Sequence, residues 1–481
     1  MQNTIPNLDT LEKAYDPSDF RKIGHEMIDL IADHIEKVQT DEDQPVLTYR
    51  EPEDELLFWK QDFSSDTGMI DVFSNILEHS ISVHHPKYIG HQVAVPALIS
   101  GLAGLMSDVL NNGTGVYEMG MAGNAIEKIV TDLVAKRIGY SSDASGFLTS
   151  GGTLANLTAL LAARKAKAPT AVWEHGHQEK LAVLVSEEAH YCIDRAARIL
   201  GLGNDGIIKV PVDSDFKIDT NILDEYYSKA KADGFYVIAL IGCACSTATG
   251  SYDNLNYLAD FAEKQNLWFH VDGAHGGGVV FSKQYKYLVN GIERADSVVI
   301  DFHKMLMTLA LNTGLIFKKA EDAYQTFAQK AQYLWDSQDT REWYNSGKRT
   351  FECTKFMMSI KVYAILKAHG EEIFEKNVDT LYHLASVFSK TINDRLDFEL
   401  ALIPEANIIN FRYTKVMMGR DINSLNADIR KRLIASGKFY IVQTRIKEEL
   451  YLRTTIMNPL TKEKDLISLL DEIETIAATI A

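Results

Sequence analysis

The chain has 481 residues, 46% of them hydrophobic, which is enough for a sizeable core and more than one core usually holds, so two or three structural lobes are expected. Its 66 acidic against 49 basic residues give a formal net charge of −17 with no Lys/Arg-rich block, and an acidic surface repels phosphate backbones and anionic lipid alike. Nucleic acid and membrane surfaces are therefore not expected as partners.

The amino terminus, Met1-Gln2-Asn3-Thr4-Ile5-Pro6-Asn7, has neither a basic start nor an apolar core, so no export signal is expected. Asp16-Pro17 reads as a helix start, and Phe20, Ile23, Met27, Ile28, Ile31 and Ile35 fall on one face of the helix that follows. The longest apolar stretch, Val93 to Met106, is broken by Pro96 and by glycines and is too short to cross a bilayer. From His85 to about Gly370, helical patterns alternate with strand candidates at Leu181–Val185, Ile207–Val212, Tyr236–Ile241, Leu267–Val271, Ser297–Ile300 and Thr313–Phe317. That alternation predicts an α/β unit with a mainly parallel sheet covered on both faces. The remainder reads as a smaller α+β lobe, with strands at Phe398–Ile403, Asn407–Tyr413, Phe439–Thr444 and Leu450–Thr455 and helices near Ile422–Ala435 and Lys462–Thr479. Cys192, Cys243, Cys245 and Cys353 form no CxxC pair; Cys243 and Cys245 read as buried small hydrophobes, no metal site is expected, and a reducing cytoplasm suits all four.

Chemistry concentrates at predicted strand ends. Asp272 follows the apolar run Leu267 to Val271, and Lys304 follows Ser297-Val298-Val299-Ile300, so an acid and an amine are expected at the carboxyl ends of buried parallel strands, where ligands of open α/β sheets bind. A carboxylate for a pyridinium N–H and a lysine for an aldehyde are what pyridoxal 5'-phosphate (PLP) requires. Opposite charges favour each other's charged forms, so the pairing keeps the ring an electron sink. Upstream, Thr149-Ser150-Gly151-Gly152-Thr153 lies between Phe147-Leu148 and the helical run Leu154 to Ala168. Glycines admit backbone N–H groups close to a phosphate, hydroxyls add donors, and the helix start adds partial positive charge.

Taken with Glu187-Glu188-Ala189-His190, Ile292 to Ser297, Asp16 to Arg21, His85-Pro86-Lys87-Tyr88, Leu452-Arg453 and Asn458-Pro459, these motifs resemble the PLP-dependent group II amino acid decarboxylases almost from end to end. The family includes glutamate, aromatic amino acid and diaminobutyrate decarboxylases. The resemblance implies fold type I of the PLP enzymes (aspartate aminotransferase-like) and a homodimer, with residues 1–84 as a helical arm packing across it, 85–370 as the PLP-binding α/β domain and 371–481 as the small C-terminal α+β domain. It further implies that His190 stacks on the cofactor ring, Asp272 pairs with the ring nitrogen, Ala274 packs beneath it, Lys304 carries the cofactor, and Ser150, Gly151, Gly152 and His303 hold the phosphate. Arg453 matches an arginine that reaches the substrate carboxylate, and His91 and Gln92 lie where relatives line the side-chain pocket.

The chain also departs from the family pattern. Met305 stands where Trp is usual, Cys245-Ser246-Thr247 where relatives carry Gly-Thr-Thr, and Lys355 where many carry Arg. The stretch Tyr333 to Tyr344 looks shorter than the mobile loop that supplies a protonating tyrosine; Tyr344 is the first candidate for that role and Tyr333 the second. Decarboxylation of an L-amino acid to the amine and CO2 is the expected activity. Decarboxylation coupled to oxidative deamination, transamination and a non-catalytic PLP-binding role stay open on the same residues, and so does the substrate side chain.

Overall fold

The computed structural model describes residues 9–327, 342–415 and 420–480. Its larger sheet is built from β1 (Ser145–Thr149), β2 (Lys180–Ser186), β3 (Ile207–Val210), β4 (Phe235–Cys243), β5 (Trp268–Asp272), β6 (Ser297–Asp301) and β7 (Thr313–Phe317). The strands pair in the order β1-β7-β6-β5-β4-β2-β3. From β6 to β3 every pairing is parallel, whereas β7 is antiparallel to both β6 and β1. The fold is thus α/β with a mostly parallel central sheet, as expected. The reversal of β7 was not foreseen, because an apolar run reads alike in either direction.

These strands are near-continuous apolar runs because helices cover both faces of the sheet. Alternate residues point to opposite sides. Leu184, Leu240, Val271, Val298 and Ile316 enter one core, beneath the helices Leu223–Ala232 and Leu255–Gln265. Val183, Ile241, Val299, Leu315 and Phe317 enter the other, beneath Ala155, Ala159 and Leu160 of the helix Gly152–Lys167. At about 1.5–3 kcal/mol for each large aliphatic side chain fully removed from water, the sheet forms a rigid base for the residues at its strand ends.

The second sheet contains β8 (Phe398–Leu400), β9 (Ile408–Tyr413), β10 (Val442–Ile446) and β11 (Glu449–Thr455), antiparallel throughout in the order β10-β11-β9-β8. Helices Ile422–Ser436 and Glu463–Ile480 accompany it. The strand expected from Phe439 starts instead at Val442, because Tyr440 is drawn into a separate bridge with Tyr88 and its carbonyl accepts the Ile89 N–H at 3.2 Å. The strand expected over Phe398–Ile403 ends at Leu400.

Near the amino terminus, Asp16 caps the helix Pro17–Thr40 by accepting the Ser18 N–H at 2.7 Å. Of this helix only Val38 is buried. Met27, Ile28, Ile31 and Ile35 line an apolar groove of about 430 Å³ opposite Leu98, Leu102 and Leu105. Among the described residues no helix is long and apolar enough to cross a membrane.

Candidate active site

The turn after β1 is shaped for close approach. Gly151 sits at φ +136°, a conformation that side chains rarely adopt, and a Cβ on Gly152 would lie 3.3 Å from both carboxylate oxygens of Asp301 and 3.5 Å from the Cβ of Ala274. No side chain caps the helix Gly152–Lys167, and with the Leu154 N–H already donated to the Gly151 carbonyl, the N–H groups of Gly152 and Thr153 are left for an anion. Ser150 Oγ donates to Glu352 Oε1 at 3.3 Å, and Thr149 Oγ1 to the Gly151 carbonyl at 3.2 Å.

Neighbouring strands β5 and β6 deliver the charged groups. Asp272 closes β5 and accepts the Ala274 N–H at 3.1 Å. Asp301 closes β6, and in the turn that follows Lys304 Nζ lies 2.9 Å from Asp301 Oδ2. Asp301 also accepts from Thr313 Oγ1 at 2.5 Å and lies 3.7 Å from His303 Nε2. Burial disfavours the Lys304 ammonium, but Asp301 beside it and Asp272 beyond outweigh that, and the amine's pKa stands above the usual lysine value. Burial likewise pushes Asp301 up, yet Lys304, His303 and Thr313 bring it below the ordinary carboxylate range. His190 caps the helix Tyr191–Ile199, with Nδ1 accepting the Cys192 N–H at 3.3 Å. Burial lowers its pKa against the pull of Asp272, which favours the neutral imidazole.

Ser150, Gly151, Gly152, His190, Asp272, Ala274, His303 and Lys304 all line one cavity of about 270 Å³. Asp301 lines it too. A second cleft of about 410 Å³, sharing His190 and Thr247 with the first, is lined by His91, Gln92 and Arg453. Arg453, on β11, is only 6% exposed; Nη2 donates to the Thr247 carbonyl at 2.7 Å, and Nε has no partner. Burial, opposed by Cys245, lowers its pKa to about 10. Gln92 Nε2 is a second buried donor without a partner. His91 tilts against Tyr440 at 5.6 Å, and burial lowers its pKa, with Arg453 and Arg430 adding to the shift.

Tyr344 is not brought to either cavity: it packs edge-on against Tyr117 and Trp343, while Tyr333 lies outside the described residues. Lys355 also stays off the cavity wall. Its Nζ donates to both Glu127 oxygens and to the Leu148 carbonyl, each at 2.7 Å, bracing the end of β1 just ahead of the Ser150 turn. Met305 is fully buried, and Cys245, Ser246 and Thr247 line the cavity. The residue that sequence reasoning passed over is Asp301. Its signal was present, since an acid three positions before a strand-end lysine comes within reach of it whenever the chain turns tightly.

A carboxylate, an amine, an imidazole and an uncapped helix start around one cavity fit PLP. The family profile described as "Pyridoxal-dependent decarboxylase conserved domain" matches residues 62–414. Among curated proteins the chain is similar to an aromatic-L-amino-acid decarboxylase of Bacillus atrophaeus, 26% identical over 96% of each chain. It is also similar to an aspartate 1-decarboxylase of Aliivibrio fischeri, 29% identical over 85% of this chain and 82% of that one. Among solved structures, mouse CSAD in its apo form superposes with a TM-score of 0.89 at 22% identity, covering 96% of this chain and 99% of that one. The named substrates differ among these relatives.

Proposed function

The chain belongs to the pyridoxal-dependent decarboxylase family, PLP-dependent amino acid carboxy-lyases, and from that premise we propose that it converts an L-amino acid to the amine and CO2 in the Lys304 cavity. One observation carries the reading: Lys304, Asp272 and His190 line one cavity, and the cleft that joins it at His190 and Thr247 holds a buried guanidinium with an unused donor. Bound PLP supplies an electron sink for the pair left behind when CO2 departs.

The chain's own residues do the rest. With PLP bound, Asp272 would hold the proton on its ring nitrogen, Lys304 would bind its aldehyde, and His190 and Ala274 would flank its ring. Ser150, Gly151, Gly152 and His303 bind the phosphate. Arg453 binds the substrate α-carboxylate through a charge-assisted contact. A guanidinium buried against a single carbonyl is costly, and an arriving carboxylate relieves that cost. A carboxylate fixed in this way is one whose orientation, and hence cleavage, the protein controls.

We further assign residues 1–84 to an arm that packs across a homodimer, 85–370 to the cofactor domain and 371–481 to the small domain. Leu98, Leu102, Met106 and Val109, all more than half exposed on the helix Leu98–Leu110, support a second copy covering this face. The free thiols Cys192, Cys243, Cys245 and Cys353 support a reducing cytoplasm.

The test is spectroscopic and chemical. Protein loaded with PLP should show a visible absorbance band that Lys304→Ala abolishes, and should release CO2 with stoichiometric amine. A band that survives in Lys304→Ala, or a keto acid formed without CO2, refutes the reading. Aldehyde and peroxide under air would instead identify oxidative deamination.

A further inference from the structure

We propose that Glu188 selects the substrate, so that the cleft beside Lys304 takes an amino acid with a cationic side chain, its α-carboxylate on Arg453 and its side-chain ammonium on Glu188. The inference deepens the decarboxylase reading and rests on it.

The charges of the cleft carry the argument. Two carboxylates line it, Glu187 and Glu188, and among the described residues lining it Arg453 is the only permanent cation. Glu187 is exposed and already occupied, its Oε1 accepting the Val212 N–H at 3.0 Å. Glu188 is half-buried; its backbone N–H donates to Ser186 Oγ at 3.1 Å, but its carboxylate has neither a hydrogen bond nor an ion pair among the described residues. The cation that its charge feels most is Lys209, but Lys209 Nζ is paired with Asp194 at 2.6 Å. Burial, with Glu187 next in weight, pushes the Glu188 carboxyl above its ordinary range, as expected of an anion that lacks a counter-ion.

His91 does not fill that gap, because burial and the two arginines hold its imidazole neutral. The cleft thus presents one carboxylate with neither a hydrogen bond nor a counter-ion and one under-used cation within about 410 Å³. A diamino acid carries one negative group and one extra positive group, and satisfies both. A dicarboxylic acid would bring its second carboxylate into a space that already holds Glu188, and an aromatic side chain would leave Glu188 further desolvated and still unpaired.

The experiment compares the PLP-loaded wild type with Glu188→Gln and Glu188→Lys, measuring CO2 release from 2,4-diaminobutyrate, ornithine, lysine, glutamate, aspartate and phenylalanine. The wild type should prefer a diamino acid. Glu188→Gln should lose about 30-fold in kcat/KM for that substrate, mainly through KM, as removal of one partner of a partly buried ion pair implies. Its cofactor absorbance should be unchanged, which separates lost recognition from lost folding. Glu188→Lys should move the preference towards glutamate or aspartate. A wild type that prefers a dicarboxylic or aromatic substrate overturns the inference, and so does a Glu188→Gln variant with unaltered KM. CO2 release from none of the amino acids counts against the decarboxylase reading itself, and this inference falls with it.

Discussion

Lys355→Met tests whether the phosphate turn is braced by a buried ion pair. Lys355 Nζ lies 2.7 Å from both oxygens of Glu127, and the two side chains are 4% and 5% exposed. Burial pulls the Lys355 pKa down and Glu127 pulls it back, so the pair is held against a real desolvation cost. Removing one partner of such a pair leaves an uncompensated buried charge, which costs about 3–5 kcal/mol. The Leu148 carbonyl loses its 2.7 Å donor as well, a smaller effect of about 1 kcal/mol that overlaps with the first. Urea unfolding at neutral pH, followed by tryptophan fluorescence, should therefore show Lys355→Met less stable by about 4 kcal/mol. Adding Glu127→Leu removes the stranded charge, and the double variant should recover most of that loss. Leu148 is one residue ahead of Thr149, so the single variant should also need more PLP for half-saturation while keeping the same absorbance maximum once loaded. A Lys355→Met protein within about 1 kcal/mol of wild type, or a double variant no more stable than the single one, refutes the reasoning.

Asp301→Asn removes the anion that keeps Lys304 charged. Only the neutral amine attacks an aldehyde, so the rate at which the apoprotein acquires its PLP absorbance should reach half its maximum at lower pH than in wild type; an unchanged profile sinks the assignment. Stability should fall in acid: burial holds His270 down to about 4 and His275 to about 3, so below about pH 6.5 the unfolded chain binds two protons that the fold refuses. Asp253, raised by burial to about 6, binds its proton in the fold first and offsets one of them. Together these three groups should contribute about 1.4 kcal/mol lost per unit of acidification between pH 6 and 4, the lowered His91 and His190 act in the same direction, and a flat urea midpoint over that window contradicts it. Arg453→Lys keeps the charge and loses the planar fork. It should raise KM for the substrate by about tenfold with cofactor absorbance intact, and an unchanged KM would remove Arg453 from the carboxylate site.

The parts of this molecule that could be read in advance are those encoded locally. Strand positions from Leu181 to Phe317 followed from apolar runs, because a strand buried on both faces writes its burial into consecutive residues. Asp272 and Lys304 were legible as strand-end residues, and Gly151 and Gly152 as a turn that needs glycine. What stayed hidden depends on partners far away in the chain. Lys355 pairs with Glu127 across 228 positions, and nothing in Thr354-Lys355 announces this. Tyr440 leaves its expected strand for Tyr88. Asp301 was near enough in sequence to notice but lay between the expected strand end at Ile300 and Lys304 and was given no role, and Glu188 was read as part of a motif rather than as a charge without a partner.

The alignment of Arg453, the proposed carboxylate contact, with Lys304 also depends on partners far apart in the chain. Arg453 belongs to the small sheet and Lys304 to the turn that follows β6 of the large one, so their relative placement depends on contacts between the two sheets. Those contacts at the site are directional. Arg453 Nη2 grips the Thr247 carbonyl at 2.7 Å, Asn410 Nδ2 the Ala248 carbonyl at 3.0 Å, and His275 Nε2 meets Asn407 Oδ1 at 2.7 Å. Asn407 in turn donates to the Ile456 carbonyl at 2.7 Å. Apolar surfaces tolerate small slides, whereas a buried hydrogen bond weakens steeply with angle and distance. The turn after β4 is therefore clamped to β9 and β11 by bonds that would be lost if the small sheet shifted. An enzyme whose reaction depends on which bond at Cα is presented to the electron sink requires that kind of clamp, because an error in carboxylate position changes the product as well as the rate.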